Sequence, residues 1–571
     1  MILLVLCLSE KLEVFHRKTG RNEISEMGIN ALTDVRFLVT QESHASLREY
    51  LLNCHRTEWA LHKDIAGFRY TAQLRLAASV AAVALRYVDN LPRKVRSGAL
   101  LESGLPEHAV DAALQDVEPG SDLFAERQPF MQRPAKTPQG AKDTARALGP
   151  QQHPVKKLSP SMPPDEAETY WNLGVGAPSS LPLEAAVLEL VTYHHMSMAG
   201  NNSYDGDKCQ MGSPAMRYVG ADYTATEAFI RGESDLATLL RLIPRQWVVG
   251  VGLPAWADRT CEQSLVDEGE MQMAHPLWSA TWSSNAPACY WEGEELHGVR
   301  TGGIPEEWYR KSEMGTTKET RKQWWDTRNQ DDPFYLYMSD EQGQLKVQRL
   351  DFGRDGTELA VEWAAEGKTG ALLEPRLPRV LDRAPDEVPV VFVRHYIAGT
   401  ASSPNIRASE IFETNQNLWA FAIDPWLRRD VQTQAKYIQQ LNAAVRAPFG
   451  RKPNSTAASV YLDDLADRRG DIEQAFWRKI RAVYVDILQE IRQNHQSSDQ
   501  NHQSSDDEPS PFELPDNLTE RCVQAGLEAF DEVVNPHSLQ EPARIAFVRS
   551  NLQRRLWGIS NKHRNTSQEK S

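Results

Sequence analysis

Cysteine is scarce in this chain. Its 571 residues hold six (Cys7, Cys54, Cys209, Cys261, Cys289 and Cys522), and none forms a Cys-x-x-Cys pair. That excludes a disulfide framework and a zinc ribbon, and it points to a reducing compartment. Long apolar runs are also missing. No stretch approaches the roughly 18 apolar residues of a membrane span. Met1 to Leu8 is apolar but only eight residues long, without the basic start or cleavage site of a signal peptide. An edge or buried strand is expected there, in a cytosolic protein with no membrane contact. Glycine fingerprints are absent too: there is no G-x-S-x-G, no G-x-x-x-x-G-K-[ST] and no dinucleotide-binding run. Gly250-Val251-Gly252 lacks a third glycine and a following helix. Finally, basic residues are outnumbered, 63 Lys and Arg against 78 Asp and Glu, for a net charge of −15. This argues against a generally basic nucleic-acid coat. It leaves room for a local basic groove in a subunit whose partners supply the positive charge.

What is present describes a soluble globular chain, 41% hydrophobic and 25% charged. Its length exceeds one comfortable core, so two or three domains are expected. The organising stretch runs from Tyr170 to Gly220. Two loops, Tyr170 to Gly176 (with Asn172) and Ala199 to Gly206 (with Gly200, Asn201 and Asn202), bracket one helix. In that helix Leu183, Ala186, Val187, Leu190 and Val191 follow the spacing of one buried face. Ser180 and Pro182 sit where a helix begins, and Gly200 where one ends. Glycine lets backbone amides approach closely, and asparagine can follow base edges and phosphates. The stretch therefore suits an extended polar partner, or two ordinary surface loops around a core helix.

Elsewhere, Leu12 to Glu26 forms a hairpin turning at Gly20. Tyr70 to Leu91 is a helix with Leu74, Ala77, Ala78, Ala81, Leu85 and Val88 as its core stripe, stopped by Pro92. Residues 135–164, with Lys136, Lys142, Arg146, Lys156 and Lys157, form a flexible basic linker or a backbone-touching arm. Ser234 caps a helix carrying Leu236, Leu239, Leu240 and Ile243, ended by Pro244. Gly250 to Ala398 is β-rich, with eight tryptophans between Trp256 and Trp363 and strand-like runs at Phe334 to Met338 and Val388 to Tyr396. From Gly399 the pattern turns helical. Pro425 to Val445, Ser455 to Ile491 (continuous, or broken at Gly470), Asn517 to Val534 and Pro542 to Trp557 are amphipathic segments. Between the second and third lies QNHQSSD, repeated at Gln493 to Asp499 and Gln500 to Asp506, inside a low-complexity loop over 493–511. The fold class is α+β: a mixed α/β domain over 1–398 with a β-rich half, then a four-helix bundle over 399–571.

Candidate chemistry is sparse. His194-His195 with Asp205 and Asp207 is the one cluster resembling metal ligands, but adjacent helical positions do not converge easily on one ion. Trp324-Trp325 beside Lys318, Arg321 and Lys322 offers a stacking and phosphate patch, or core beside surface. No catalytic constellation and no cofactor site is expected.

The order of features resembles the CasA family, the large subunit of the type I-E CRISPR surveillance complex Cascade. The resemblance rests on the hairpin Leu12 to Glu26, on Pro129-Phe130-Met131-Gln132, and on the asparagine loop, helix and glycine/asparagine loop that follow. It extends to Ala475-Phe476-Trp477, Asn535-Pro536-His537 and a final helix ending in Leu556-Trp557. It implies a non-catalytic, DNA-binding subunit. Its partners would be the other Cascade subunits, the 5′ end of the CRISPR guide RNA, double-stranded target DNA and a helicase-nuclease effector. Guide pairing reads sequence while the protein tests a short adjacent motif. Carried over by position, Asn172 resembles the loop near the guide's 5′ end. Gly200, Asn201 and Asn202 resemble the minor-groove glycine loop. Asn405-Ile406-Arg407-Ala408-Ser409 resembles the strand-separating wedge, with Arg407 where glutamine is usual, and Lys318 or Lys322 stands for the lysine finger. The family's paired zinc cysteines and Trp-Ile-Pro start are absent. Two other functions stay open: a scaffold that reads no DNA, and a metal-dependent nuclease using His194, His195 and Asp205.

Overall fold

The helix Gly67–Ala84 (α1) runs through the middle of the larger core. Its sequence predicts one apolar stripe, yet every residue from Phe68 to Ala84 except Arg69 is buried. The polar positions go inside because each finds a partner. Thr71 Oγ1 donates to Gly67 O at 3.2 Å, Gln73 Oε1 accepts from Val39 N at 2.7 Å, and Ser79 Oγ donates to Leu76 O at 2.7 Å. The α-helix ends earlier than expected, at Ala84, and a 3-10 turn over Leu85–Tyr87 finishes it. These elements come from a computed structural model that describes residues 28–63, 65–88, 97–134, 154–161, 178–197, 202–204, 207–209, 213–216, 225–268, 271–310, 317, 319–320, 332–335, 337–339, 345–347, 355–367, 377–381, 390–400, 403–413, 425–450, 460–501, 511–537 and 541–568. The expected N-terminal strand and hairpin, and Trp324-Trp325, lie outside the described residues.

Further along the chain, beyond the short helices Ser97–Ser103 and Glu107–Asp116, lies the helix Leu183–Met196 (α2), entered from Pro182 and left at Ser197. The segment expected to be a loop at Ala199 to Gly206 becomes a strand from Asn202. Asn202–Tyr204 (β1) pairs antiparallel with Asp207–Cys209 (β2). Ala225–Ile230 (β3) follows, then Asp235–Leu242 (α3), whose cap is as expected: Ser234 Oγ accepts from Ala237 N. Within the aromatic half, Trp256 and Trp278 are fully buried, and short two-stranded pairs alternate with helices.

One described three-stranded sheet has the order β5-β4-β3, where β4 is Val390–Thr400 and β5 is Ser403–Glu413. Strand structure thus crosses position 399, where the helical part was expected to begin, and the helices start at Pro425. The physical reason is alternation. Val391 and Val393 point into the core around α1, whereas Val390 and Phe392 point into a second core. A sheet buried on both faces reads as a continuous apolar run rather than a simple two-residue pattern.

The second core joins Gly356–Ala365 (α4) to Pro425–Arg446 (α5), Arg469–Asn501 (α6), Asp516–Val534 (α7) and Pro542–Gln568 (α8). Taken whole, the chain mixes helix with several small sheets and ends in a helical region. Three boundaries differ from the sequence reading, one of them the end of α8, at Gln568 rather than Trp557. Helix α6 starts at Arg469, not Ser455, and it continues through the first QNHQSSD copy to Asn501. Adding a residue to an existing helix gains a hydrogen bond without a new nucleus, so polar residues extend it readily. His495, from that copy, meets Asp430 Oδ2 at 3.0 Å.

Candidate nucleic-acid interface

Strand β3 pairs with β4 only over Val390 to His395. Beyond it, β4 and β5 continue as a two-stranded ribbon, Tyr396 to Thr400 against Ser403 to Ala408. The pairing steps from Tyr396↔Ala408 to Ile397↔Ile406, which leaves Arg407 as the extra residue of a β-bulge. A bulge bends its strand and locally increases its twist. Tyr396, beside it, is 48% exposed. An exposed aromatic ring offers a face on which an unpaired base can stack.

The ribbon is anchored from two sides. Ile406 is fully buried, and its backbone N–H donates to Pro160 O at 2.9 Å. Beneath Ser409 lies a buried ionic cluster. Arg75 Nε donates to Glu227 Oε1 at 2.7 Å, and Arg75 Nη1 to Asp332 Oδ2 at 3.0 Å. His395 Nε2 meets Glu227 Oε2 at 3.1 Å and its Nδ1 meets Ser409 Oγ at 2.8 Å. The Arg75 guanidinium also lies 4.0 Å over the Phe334 ring. Burial by itself raises the Glu227 carboxyl, but Arg75 and hydrogen bonds from His395 and Thr71 outweigh it and hold the group below the usual carboxylate range. Helix α1 approaches so closely that a Cβ on Gly67 would lie 2.6 Å from Ser409 Oγ.

Of the sequence-predicted residues, Asn405 and Arg407 share the ribbon. Asn405 pairs with Ala398, and its side chain is buried at 4% exposure, so it supports the ribbon from inside. Asn202 opens the β1–β2 hairpin, paired with Cys209. Asn172, Gly200, Asn201, Lys318 and Lys322 lie outside the described residues. So do Asp205 and the Tyr170 to Gly176 loop. The two histidines are buried with rings 5.0 Å apart and edge-on, and His194 Nε2 meets Thr281 O at 3.0 Å. Among the described residues no group of three or more His, Cys, Asp or Glu is placed to hold a metal ion.

Sequence reasoning missed Tyr396, although its place at the end of a strand-like run was the available signal. Gly250-Val251-Gly252, set aside above as a glycine fingerprint, follows a short helix ending at Val248. Val249 and Val251 are each 70% exposed there, while Arg86 donates to Trp247 O at 2.8 Å and His275 meets Val249 O at 2.6 Å beneath them. The Pro129 to Gln132 motif is structural. Phe130 packs edge-on against Trp256 at 5.6 Å, and Gln132 Oε1 accepts from Trp291 Nε1 at 3.1 Å.

The model of the CRISPR-associated protein Cse1 family matches residues 35–508. Among solved structures, Cse1 from Acidimicrobium ferrooxidans is similar at 16% identity and a TM-score of 0.57, over 95% of this chain and 99% of that one. CasA (Cse1) of Thermus thermophilus is similar at 14% identity and 0.55, over 94% and 99%. A chain of a structure described as a CRISPR RNA-guided surveillance complex is similar at 14% and 0.57, over 95% and 99%. No curated protein matches the chain.

Proposed function

The chain belongs to the CRISPR-associated Cse1 family, and from that premise we propose that it is the non-catalytic large subunit of a type I-E, RNA-guided surveillance complex. In this reading it recognises a short motif beside the target in double-stranded DNA, starts strand separation and R-loop formation, and recruits the helicase-nuclease. It sits among the other Cascade subunits near the 5′ end of the guide RNA. The four C-terminal helices form the bundle that faces those partners. Asn172, Gly200, Asn201 and Asn202 probe the motif from the minor groove, Lys318 or Lys322 supplies the lysine contact, and Arg407 is the wedge.

The observation that carries the reading is the bulge at Arg407 on an anchored ribbon beside exposed Tyr396. A wedge must be stiff where it is rooted and offset where it acts, because unstacking a base step costs a few kcal/mol. The ionic cluster and the buried Asn405 and Ile406 meet the first need, and the bulge meets the second.

The test is a gel-shift titration of the reconstituted, guide-loaded complex with duplexes that carry or lack the adjacent motif. Arg407→Ala and Asn202→Ala are each expected to weaken motif-bearing duplex binding at least tenfold, about 1.4 kcal/mol. Assembly, followed by size exclusion, stays intact. Unchanged duplex affinity in both variants overturns the assignment. The net charge of −15 favours a second reading, a scaffold that reads no DNA; it predicts equal affinity for duplexes with and without the motif.

A further inference from the structure

The face of the sheet that carries Phe392 into the second core continues outward along the ribbon. It does so as three cross-strand pairs, Phe392↔Phe412, Arg394↔Glu410 and Tyr396↔Ala408. Burial falls away along it: Phe392 is 1% exposed, Arg394 8% and Tyr396 48%. The ring at the outer end is held from behind. Its chain neighbours His395 and Ile397 point to the opposite face and are buried there, His395 against Glu227 and Ile397 in the core of α1. Its cross-strand partner is Ala408, whose single methyl group cannot cover a phenol ring. Arg394 Nη2 donates to Glu410 Oε2 at 2.6 Å, so the carboxylate next along this face is already bound to a cation. An open aromatic face on a fixed strand is the kind of platform on which single-stranded nucleic acid stacks.

We propose that Tyr396 stacks on the first unpaired base of the displaced DNA strand and so holds the duplex open once it has been parted. This rests on the assignment of Arg407 as the wedge. Separating a base step removes the stacking that each base had with its neighbour. The guide RNA gives the target-strand base a new pairing partner. The displaced base receives none, so it is the one for which a protein ring replaces what was lost. The pair Tyr396↔Ala408 adjoins the bulged Arg407 directly, which puts the ring beside the point of separation. Stacking requires only a π-face, so the contact accepts all four bases and leaves the choice of target to the guide.

The test uses the reconstituted, guide-loaded complex and motif-bearing duplexes with 2-aminopurine, whose fluorescence stacking quenches, at each of the first few displaced-strand positions. At one position the wild-type complex should keep the probe quenched as the R-loop forms, and Tyr396→Leu should release its emission. An abasic site there should weaken wild-type binding at least about fivefold and leave Tyr396→Leu unaffected, the non-additivity of one shared contact. Tyr396→Phe keeps the ring and should behave as wild type. A duplex with a premade bubble separates the two assignments, because it needs no wedge. If Arg407 is not the wedge, the Tyr396 effects persist on the bubble; unchanged quenching and affinity of Tyr396→Leu on it overturn the stack alone. Equal losses in Tyr396→Phe and Tyr396→Leu overturn it too, since the ring is then not what binds. Loss of guide-loaded assembly in Tyr396→Leu, with an unchanged thermal midpoint, overturns it in favour of a protein contact.

Discussion

Arg75 is the residue on which most depends. It is 5% exposed, yet its partners Glu227 and Asp332 lie 152 and 257 positions away in sequence. Truncating one member of a buried ion pair strands the others, at a typical cost of about 3–5 kcal/mol. Arg75→Met is therefore expected to lower the unfolding free energy read from urea titration by that amount at pH 7, while Arg36→Met, in an exposed pair with Glu49, changes it by less than about 1 kcal/mol. The pH dependence has a definite sign. The Glu227 carboxyl titrates lower in the folded chain than when unfolded, so its contribution is present above the unfolded value and lost as pH falls through the folded one. Urea midpoints below pH 4.5, compared with those of Glu227→Gln, check this. Thr71 and Arg75, four residues apart, share one side of the helix and Gln73 lies on the other, so helical spacing does not mark the three as one polar group. Only the fold brings in partners that far apart, so this part of the anchor could not be read from residues 70–91 alone.

At the scale of single elements, the bulge on β5 separates strand stability from strand function. Deleting Arg407 makes the pairing continuous without changing register on either side, because Tyr396↔Ala408 and Ile397↔Ile406 already flank it. The deletion is expected to leave the thermal midpoint within a few degrees, since bulged residues add no ladder hydrogen bonds. Duplex binding by the assembled complex should fall at least tenfold, and retained binding would exclude the bulge from the wedge. Helix α8 offers an independent pH test. His563 stacks on Tyr437 at 4.5 Å, its Nε2 meets Gln434 Oε1 at 3.0 Å, and burial pushes its imidazole down to about 4. The unfolded chain takes up the proton first, so stability drops as pH falls from about 6.5 to 4, by roughly 3 kcal/mol. His563→Phe keeps the stack and should flatten that slope in chemical denaturation. Helices α5 and α7 were legible almost to the residue from their apolar spacing. The far ends of α6 and α8 were not, because polar residues that merely continue a helix carry no periodic signal.

Over the whole molecule, the three-stranded sheet is one wall shared by two cores. Phe392 and Val390 feed the core of α4 to α8, and Val391 and Val393 feed that of α1. Phe392 is 1% exposed and packs edge-on against Trp363 at 6.0 Å. Removing its ring opens a cavity worth about 3–5 kcal/mol of stability. If the shared wall couples the cores, Phe392→Ala lowers hydrogen-exchange protection in α1 as well as in α7, although α1 lies on the sheet's opposite face. Independent cores predict that only α4 to α8 lose protection, leaving the amides of residues 67–84 at their wild-type rates. The coupled outcome has a functional consequence. The ribbon carrying Arg407 grows from the same strands, so force applied to the C-terminal helices by partner subunits would reach the proposed wedge through Val390 to His395. Phe392→Ala should then weaken duplex binding while leaving guide-loaded assembly intact, and the same variant read by hydrogen exchange and by gel shift tests both halves of the claim.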